Sequence, residues 1–359
     1  MPVPVLLLAQ SLGHGGSERQ LAVTALGMDR ARYEPHVASV AGGFHEDAMR
    51  AQGIPVFRLP LNSYWNRTGW HSARLLWDYI RRHKIRLVHP FDHTLTLLAV
   101  PVAKASPGVR VLTSQRGYFD VIPPRHLRAL HFMHRRADGV VVNCEAIRRD
   151  MTEHHGYPRE KIHVCYNGLD STRFFVRPRA RSAELVVGCV CVLRPEKNLR
   201  VLIDAFAAVR QERSDLKLLL VGSGPEREAL VERTRRLGME GACVFQPSTP
   251  NVPDALNGMD IFVHPSRSEA LPNAVMEAMA CGCTVIASKV GGCPEILRHE
   301  ESGFLFEPDD ASGLSALLRR AIADGDLRQR LSAKAASVMA AEFTTARAVQ
   351  RMQEIYESV

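Results

Sequence analysis

The stretch IFVHPSRSEALPNAVMEAMACGCTVIASKV, residues 261–290, contains a complete strand–helix–strand unit. Its first apolar run, Ile261–His264, has the length and composition of a buried strand. Asn273 is a favoured N-cap residue and predicts a helix that begins near Ala274. A second apolar run follows at Thr284–Ala287. Strands joined by a helix run parallel, so this stretch predicts a parallel sheet covered by helices.

The same alternation continues in both directions from this unit. Short apolar runs separated by helical stretches recur up to residue 166 and begin again at residue 185. Between the two series, residues 171–183 (STRFFVRPRARSA) are charged, contain Pro178 and lack a period, which is typical of a linker. The sequence therefore predicts an α/β fold of two Rossmann-like doubly wound domains facing a cleft, at residues 1–175 and 184–342.

Length and composition agree with that architecture. The chain has 359 residues, enough for about two domains, and 46% of them are hydrophobic and 23% charged, as in ordinary globular proteins. The longest apolar stretch is about ten residues, whereas a membrane-spanning helix needs about 20. The first residues lack the basic segment of a signal peptide, so we expect a cytoplasmic protein.

Cysteine spacing argues against a disulfide framework and against a metal centre. The eight cysteines lie between Cys144 and Cys293, and none of them forms a CxxC pair. We therefore expect reduced, buried thiols and no structural zinc site.

The positive charge is concentrated in the first half of the chain. The net charge is +8; residues 1–176 hold 23 Lys and Arg against 14 Asp and Glu, whereas residues 177–359 are nearly balanced. This asymmetry favours an anionic partner such as a phosphate, a nucleic acid or an acidic membrane surface. Nucleic acid is the weakest of these interpretations, because no basic motif is interleaved with aromatic residues.

Two glycine-rich turns lie where a strand passes into a helix. One is Gly13–Glu18 (GHGGSE) and the other is Gly222–Glu226 (GSGPE). Glycines let backbone N–H groups approach an anion at the positive end of a helix. Each turn is equally consistent with a tight turn that binds nothing.

Two carboxylates flank the predicted helix start near Ala274. Seven residues separate Glu269, in the preceding loop, from Glu277, one turn inside the helix. The loop at 271–274 presents backbone N–H groups that suit a diphosphate. Because carboxylates repel phosphate and accept hydrogen bonds from hydroxyl groups, Glu269 and Glu277 suit the hydroxyls of a sugar and a ribose.

Together these motifs resemble glycosyltransferase family 4, the retaining, nucleotide-sugar-dependent enzymes of the glycosyltransferase-B (GT-B) fold. The resemblance covers nearly the whole chain. In the first half it rests on HGGSERQ, ADGVVVNCEAIRRDM and KIHVCYNGLDSTRF. In the second half it rests on LRPEKNLRVLIDAF, LLLVGSGPEREAL, the Glu-x7-Glu segment with GCTVIASKVGGCPEIL, and SGFLFEPDD. In this fold the last helix crosses back to the first domain, so we expect residues 345–359 to belong there.

The resemblance implies roles for individual residues of a donor site. Lys197, in RPEKN, matches the lysine that binds the donor diphosphate, and Glu277 matches the glutamate that holds the ribose hydroxyls. Glu269 matches the glutamate beside the transferred sugar. Gly16, next to Gly15, matches a first-domain glycine near the diphosphate. The loop whose amides meet the phosphates and the sugar is matched by Leu271, Pro272, Asn273 and Ala274.

Two features depart from the family pattern. An arginine usually stands five positions before the lysine, where this chain has Val192. We expect Arg194 to supply that charge, because the period of a strand places it on the same face; the alternative is a solvated surface arginine. Some members carry a histidine in the acceptor site after the fourth strand. Here Arg116 is the candidate for that place, and His93 is another.

The resemblance also implies the chemistry. The anomeric bond breaks through an oxocarbenium-like transition state, and Lys197, Arg194 and the helix start stabilise the charge that grows on the leaving phosphate. Glu269 positions the sugar. We expect no cofactor or metal, and a glycan, lipid-linked or small-molecule acceptor. A nucleotide-sugar epimerase and a non-catalytic nucleotide-sugar-binding protein on the same fold remain alternatives.

A basic helical stretch in the first half favours an anionic membrane surface as a further partner. A helix of this kind suits docking on acidic lipid headgroups at the inner face of the plasma membrane, and equally a solvated face over its own sheet. Its histidines are expected to strengthen attachment as the pH falls towards 6. The basic residues of the stretch are Arg125, His126, Arg128, His131, His134, Arg135 and Arg136.

Overall fold

The two predicted strand series form two separate parallel sheets in the computed structural model, which describes residues 1–178 and 184–359. The chain divides into a first unit, residues 1–168 with 345–359, and a second unit, residues 169–344. The first unit ends before the predicted boundary at residue 175, because Leu169 already pairs with the second unit: its N–H donates to Phe343 O at 2.8 Å. Residues 179–183 of the predicted linker lie outside the described residues.

The first unit alternates strands and helices throughout. Its strands are β1 (Val3–Ala9), β2 (Tyr33–Ser39), β3 (Val56–Arg58), β4 (Leu87–Pro90), β5 (Arg110–Gln115), β6 (Gly139–Val142) and β7 (Ile162–Val164). Its helices are α1 (Gly16–Gly27), α2 (Glu46–Ala51), α3 (Arg67–Arg82), α4 (His93–Lys104), α5 (Pro124–Arg136) and α6 (Glu145–Glu153). All strands are parallel, in the order β3-β2-β1-β4-β5-β6-β7.

The interior strand β1 shows why this sheet is covered on both faces. From Val5 onward each of its residues is buried, so its sequence is continuously apolar rather than alternating. Val5 and Leu7 belong to a core that includes Leu21 of α1. Leu6 and Leu8 point to the opposite face, into a core formed with α3 and α4.

The second unit repeats the pattern. Its strands are β8 (Leu185–Val190), β9 (Leu216–Val221), β10 (Cys243–Gln246), β11 (Ile261–His264), β12 (Thr284–Ser288) and β13 (Phe304–Phe306). Its helices are α7 (Leu199–Arg210), α8 (Arg227–Arg236), α9 (Val252–Asn257), α10 (Asn273–Ala280), α11 (Cys293–Ile296), α12 (Ala311–Ala323) and α13 (Gly325–Glu342). The strands are parallel, in the order β10-β9-β8-β11-β12-β13.

The last helix, α14 (Thr345–Ser358), belongs to the first unit. Met352, Ile355 and Tyr356 are buried in the same core as Val5 and Leu7. The Tyr356 hydroxyl lies 2.9 Å from the Nδ1 atom of a buried histidine in β4. The chain therefore returns to its first sheet after completing the second.

Candidate functional site

The strand order reverses at one place in each sheet, between β1 and β4 in the first unit and between β8 and β11 in the second. In doubly wound folds ligands bind in the crevice at the carboxyl ends of the strands at such a reversal. Lys197 follows β8, and Glu269 follows β11. The predicted donor residues of the second unit therefore lie at the place where this fold binds ligands.

The side chains of Lys197 and Glu269 meet although they are far apart in the sequence. Lys197 Nζ donates to Glu269 Oε1 at 2.5 Å. His264 Nε2, at the end of β11, lies 2.8 Å from the same oxygen, and Ser266 Oγ lies 3.2 Å from that nitrogen. His264 was not among the sequence-predicted site residues; the signal that could have found it is a polar residue at the carboxyl end of an apolar strand.

These contacts keep both members of the pair charged. Burial raises the pKa of Glu269, but His264 and Lys197 outweigh it and lower that pKa to about 2. Burial lowers the pKa of Lys197, but the Glu269 carboxylate outweighs it, so that pKa is raised above its usual value. An ionised carboxylate accepts hydrogen bonds and has no proton to give at neutral pH. Glu269 is therefore suited to hold hydroxyl groups and unsuited to act as a general acid.

Asp309 and Arg267 connect the two loops that carry this pair. The backbone N–H of Arg267 donates to Glu196 O at 2.9 Å. Its guanidinium group lies 2.7 Å from Asp309, which also accepts from Asn198 Nδ2 at 3.0 Å. Asp309 thus holds the loop after β8 and the loop after β11 in one arrangement, a contact that the sequence analysis did not predict.

Two glycines allow backbone segments to approach closely around the site. Gly291 has φ +50°, and a Cβ atom there would overlap the carbonyl group of Glu269. Gly222 has φ +153°, and a Cβ atom there would overlap the carbonyl group of Cys191, in the segment that leads to the lysine. The turn at Gly222–Glu226 therefore has a structural role in supporting that segment.

Helix α10 presents its N-terminus directly after the Glu269 loop. It begins at Asn273, so Pro272 and not Asn273 occupies the N-cap position; that prediction was wrong by one residue. Asn273 and Ala274 are half-buried, whereas Leu271 and Pro272 are buried. Glu277 is buried on the second turn of the helix. Since the first N–H groups of a helix have no intrahelical acceptor, this end carries partial positive charge.

Arg194 lies outside the regular strand, contrary to the argument that placed it. β8 ends at Val190, so the two-residue period does not extend to Arg194. Its side chain is 59% exposed, and the nearest carboxylate oxygen, on Glu196, is 3.9 Å away. A contribution of Arg194 to the donor site stays a prediction, without the support of strand geometry.

In the first unit, the turn GHGGSE leads into α1. Gly15 is the N-cap residue and Gly16 the first residue of the helix, and both are exposed. Ser11 Oγ donates to Glu18 Oε1 at 2.9 Å across the turn. Gly43 packs against the backbone of the same turn, where a Cβ atom would overlap residues 12 and 13. The turn is therefore held in place by its neighbours and open on its outer side.

The two acceptor candidates follow neighbouring strands of the first sheet but have different partners. Arg116, after β5, donates to Asn167 Oδ1, and burial lowers its pKa to about 10. His93 begins α4, where burial lowers its pKa. Beside it, Asp92 accepts from the N–H groups of Gln10 and Leu95 at 2.5 and 2.8 Å. Burial raises the pKa of Asp92 to about 6, and the sequence analysis did not single out this carboxyl group.

The cysteines and the possible metal ligands can be surveyed in the described part of the chain. All eight cysteines are free thiols, and only Cys191 among them is not fully buried. Residues 1–178 and 184–359 contain no cluster of three His, Cys, Asp or Glu side chains arranged to hold a metal ion. Within the same residues, no helix is both long and apolar enough to span a membrane.

Two solved structures superpose on nearly the whole chain. The Anabaena protein HepE, solved in complex with UDP, superposes with a TM-score of 0.86 over all of both chains, at 22% sequence identity. Sucrose-phosphate synthase from Thermosynechococcus elongatus superposes with a TM-score of 0.81 over 99% of this chain and 98% of its own, at 18% identity. The chain therefore has the GT-B fold, as predicted.

Family models match almost the entire length. The model described as Glycosyltransferase Family 4 matches residues 14–173, and the model described as Glycosyl transferases group 1 matches residues 170–338. The chain belongs to the family 4 glycosyltransferases.

Curated relatives match parts of the chain at 28% and 30% identity. N-acetyl-alpha-D-glucosaminyl L-malate synthase from Bacillus anthracis is 28% identical over 210 residues, which cover 56% of this chain and 55% of the relative. D-inositol 3-phosphate glycosyltransferase from Rhodococcus opacus is 30% identical over 308 residues, covering 78% and 63%. The chain spans about half the length of the first curated relatives it matches.

Proposed function

We propose that this protein is a retaining glycosyltransferase that moves a sugar from a nucleotide-diphosphate sugar to a glycan, lipid-linked or small-molecule acceptor in the synthesis of a cell-surface polysaccharide or glycoconjugate. The observation that carries the proposal is the Lys197–Glu269–His264 cluster at the strand-order reversal, directly before the N-terminus of α10. Structures of the similar HepE protein contain UDP and UDP-glucose, which supports a uridine nucleotide as the first donor to test.

In this proposal the donor diphosphate takes over Lys197 from Glu269. The lysine is charged and ends a short 3-10 turn after β8, and the first N–H groups of α10 add partial positive charge. As the anomeric bond breaks, negative charge grows on the leaving phosphate, and these preorganised donors stabilise it. The proposal assigns this charge stabilisation to the chain itself, with Arg194 as a further contributor, and includes no cofactor or metal.

Glu269 then holds the sugar, and Glu277 holds the ribose. With a pKa of about 2, Glu269 stays ionised and accepts hydrogen bonds from sugar hydroxyls, while His264 keeps the carboxylate in place. With Lys197 on the diphosphate, a carboxylate held by His264 and by sugar hydroxyl groups is a weak nucleophile, which favours attack by the acceptor on the face from which the diphosphate leaves. That course retains the anomeric configuration.

Calorimetry on two variants tests the assignment of the carboxylates. Glu277→Ala should weaken the binding of UDP and the binding of UDP-glucose about equally. The expected loss of binding free energy is about 2 kcal/mol, the scale of a charged hydrogen-bond pair. Glu269→Ala should weaken mainly the binding of UDP-glucose, and the binding of UDP much less. The reverse pattern would contradict both roles, and no binding of uridine, guanosine or adenosine diphosphates to the unmodified protein would refute the donor site.

Product analysis distinguishes transfer from the alternatives. Incubation with donor and a panel of acceptors should yield a glycosylated product with the donor's anomeric configuration. Conversion of the donor sugar without any acceptor would indicate an epimerase, and tight donor binding without any product would indicate a binding protein.

We also propose that this protein is cytoplasmic and that its first unit attaches it peripherally to the inner face of an anionic membrane. Eight free thiols suit a reducing compartment. On α5, Arg128, Arg135 and Arg136 are exposed, as docking on acidic headgroups requires. The expected strengthening towards pH 6 was wrong for two histidines of this helix. Burial lowers the pKa of His131, and lowers that of His134 to about 3.

A further inference from the structure

The three tryptophans of the chain line one cavity in the first unit, although none of them was part of a predicted site. The cavity has a volume of about 750 Å³ and is enclosed by α3, α4, α5 and the loop before α3. Trp65 and Trp70 are 90% and 78% exposed at its mouth. Trp77 lines the wall on α3.

The wall is apolar for reasons that the helix periods explain. Ala73 and Trp77 lie one turn apart on α3, and Ala129 and Met133 lie one turn apart on α5, so each helix presents an apolar stripe to the cavity. Pro101 and Val102 of α4, with their neighbours, form the third side. A cavity of this size and character is typical of a site for an apolar or amphiphilic ligand.

Polar groups in the lining are few. The Tyr64 hydroxyl donates to Thr94 O at 2.8 Å and is thereby satisfied. Among the described residues, His126 Nδ1 is buried without a hydrogen-bond partner, and no acidic side chain lines the cavity. A sugar or a nucleotide needs many polar partners, whereas the polar side chains here, Asn62, Ser63, Tyr64 and His126, are a minority of a mostly apolar lining.

Cations stand beside the apolar stripe on both helices. On α3 the guanidinium group of Arg81 lies 4.4 Å from the ring centroid of Trp77. On α5 the guanidinium group of Arg136 lies 4.9 Å from the ring centroid of Phe132, a phenylalanine that is itself exposed. An apolar cavity with arginines beside it is complementary to an amphiphile with an anionic headgroup.

Exposed tryptophan beside arginine is also the composition that proteins use at the surface of a bilayer. Tryptophan is enriched at membrane–water interfaces, because its ring is apolar and its N–H group is polar. Two exposed indoles at the same apolar cavity form a patch of a kind that soluble surfaces rarely show without a function.

We propose that this cavity is a lipid-binding site that docks the first unit on an anionic phospholipid bilayer. One acyl chain enters the cavity between α3, α4 and α5, Trp65 and Trp70 lie in the interface, and Arg81 and Arg136 bind lipid phosphates. The proposal extends the peripheral attachment proposed above, replacing a purely electrostatic contact with a defined pocket, and it is independent of the donor site.

Intrinsic fluorescence tests the site directly, because every tryptophan of the protein lies in it. The full-length protein is titrated with phosphatidylglycerol vesicles and with phosphatidylcholine vesicles, each with and without brominated acyl chains. We expect a blue shift with the anionic vesicles, and quenching when their acyl chains carry bromine. Because insertion is partly apolar, binding should weaken but persist at about 0.5 M salt, where charge screening acts within a few ångströms.

Variants separate the apolar and the charged contribution in vesicle co-sedimentation. Trp65→Ala combined with Trp70→Ala should weaken binding to anionic vesicles by at least about tenfold, and Arg81→Glu combined with Arg136→Glu should do the same. Matched controls are Leu237→Ala and Lys334→Glu, which change an exposed apolar and an exposed basic residue of the second unit and should leave vesicle binding unchanged. UDP binding by calorimetry should be unchanged in all four, so loss of vesicle binding and failure of the donor site are distinguishable.

Three results would overturn the proposal. Unchanged fluorescence with anionic vesicles would exclude insertion. A blue shift caused by soluble oligosaccharides, with no response to vesicles, would assign the cavity to a glycan. A blue shift that depends on protein concentration, with a dimer in sedimentation, would assign it to a second copy of the chain.

Discussion

At the scale of single residues, the prediction for Lys197 is the most specific one, because it concerns turnover directly. Lys197→Ala removes the cation proposed to meet the leaving diphosphate, so turnover should fall at least about a hundredfold, the scale of losing one preorganised donor. Steady-state kinetics with UDP-glucose, together with circular dichroism to check the fold, measure this. The matched control is Lys217→Ala: Lys217 lies on β9 of the same unit and forms a surface ion pair with Glu184, which the substitution breaks. Wild-type turnover in folded Lys197→Ala would reject the assignment.

Glu269 predicts a specific dependence of stability on pH. Its pKa is about 2 in the folded protein against an ordinary value of 4.5, so the ionised pair stabilises the fold fully above pH 4.5. That contribution, on the order of 3 kcal/mol, is lost as the pH falls from 4.5 towards 2. Glu269→Gln should therefore lower the melting temperature at pH 7 and flatten its decline between pH 5 and pH 3. Parallel melting curves for both proteins across this range would show that the pair adds no stability.

At the scale of elements, the loop between β12 and α11 decides where Glu269 sits. Gly291→Ala meets two penalties, a positive φ and an overlap with the Glu269 carbonyl group. Gly238→Ala is the matched control. Gly238 also has a positive φ, +66°, but an added Cβ atom there would meet no other atom. The control should cost about 1 kcal/mol. Gly291→Ala should cost clearly more and also weaken donor binding, since the Glu269 loop must move.

Chemical denaturation and calorimetry measure the two effects of that glycine. Equal stability losses in Gly291→Ala and Gly238→Ala would mean that the close approach to Glu269 adds nothing beyond backbone strain.

Helix α5 and its neighbours show why an element's sequence pattern alone left its role open. A solvated basic face over the sheet was one predicted alternative, and Arg128, Arg135 and Arg136 are exposed, but Phe132 is also exposed and the basic residue His134 is buried. The pattern did not indicate that Met133 lines a cavity rather than a filled core. Cavity walls come from three helices, and a gap between them exists only once they are packed together.

Two of the short edge strands, β3 and β13, were missed for a related reason. β3 and β13 contain three residues each and lie at the edges of their sheets. Three residues are too few to show a period, and the parallel partner strand alone makes them strands.

At the scale of the whole molecule, the last helix completes the first unit. Ile355 is buried against the first sheet, whereas Gln350 lies on the outer side of α14. Deleting residues 345–359 should therefore expose the core around Leu7 and Leu21 and lower the melting temperature by several degrees. Ile355→Ala should reproduce part of this loss and Gln350→Ala almost none. A truncated protein with an unchanged melting curve would contradict the packing role of α14.

What the sequence by itself determined is local. Strand β11 was predicted with its observed bounds, because a strand buried on both faces has a short, nearly continuous apolar sequence. The loop and helix that place Glu269 and Glu277 follow from proline, asparagine and helix chemistry within a few residues of each other. The family resemblance then named Lys197.

What only the tertiary structure decided is which of these residues are partners. The order of strands places β8 beside β11. Only in that arrangement do Lys197 and His264 both contact one carboxylate oxygen of Glu269. The same arrangement lets Asp309 connect the two loops. In the same way, three tryptophans spread over 13 positions become one cavity wall only when α3 packs against α4 and α5. Local patterns encode the hydrogen bonding and burial of each segment, whereas contacts between distant side chains depend on how all segments pack into one core.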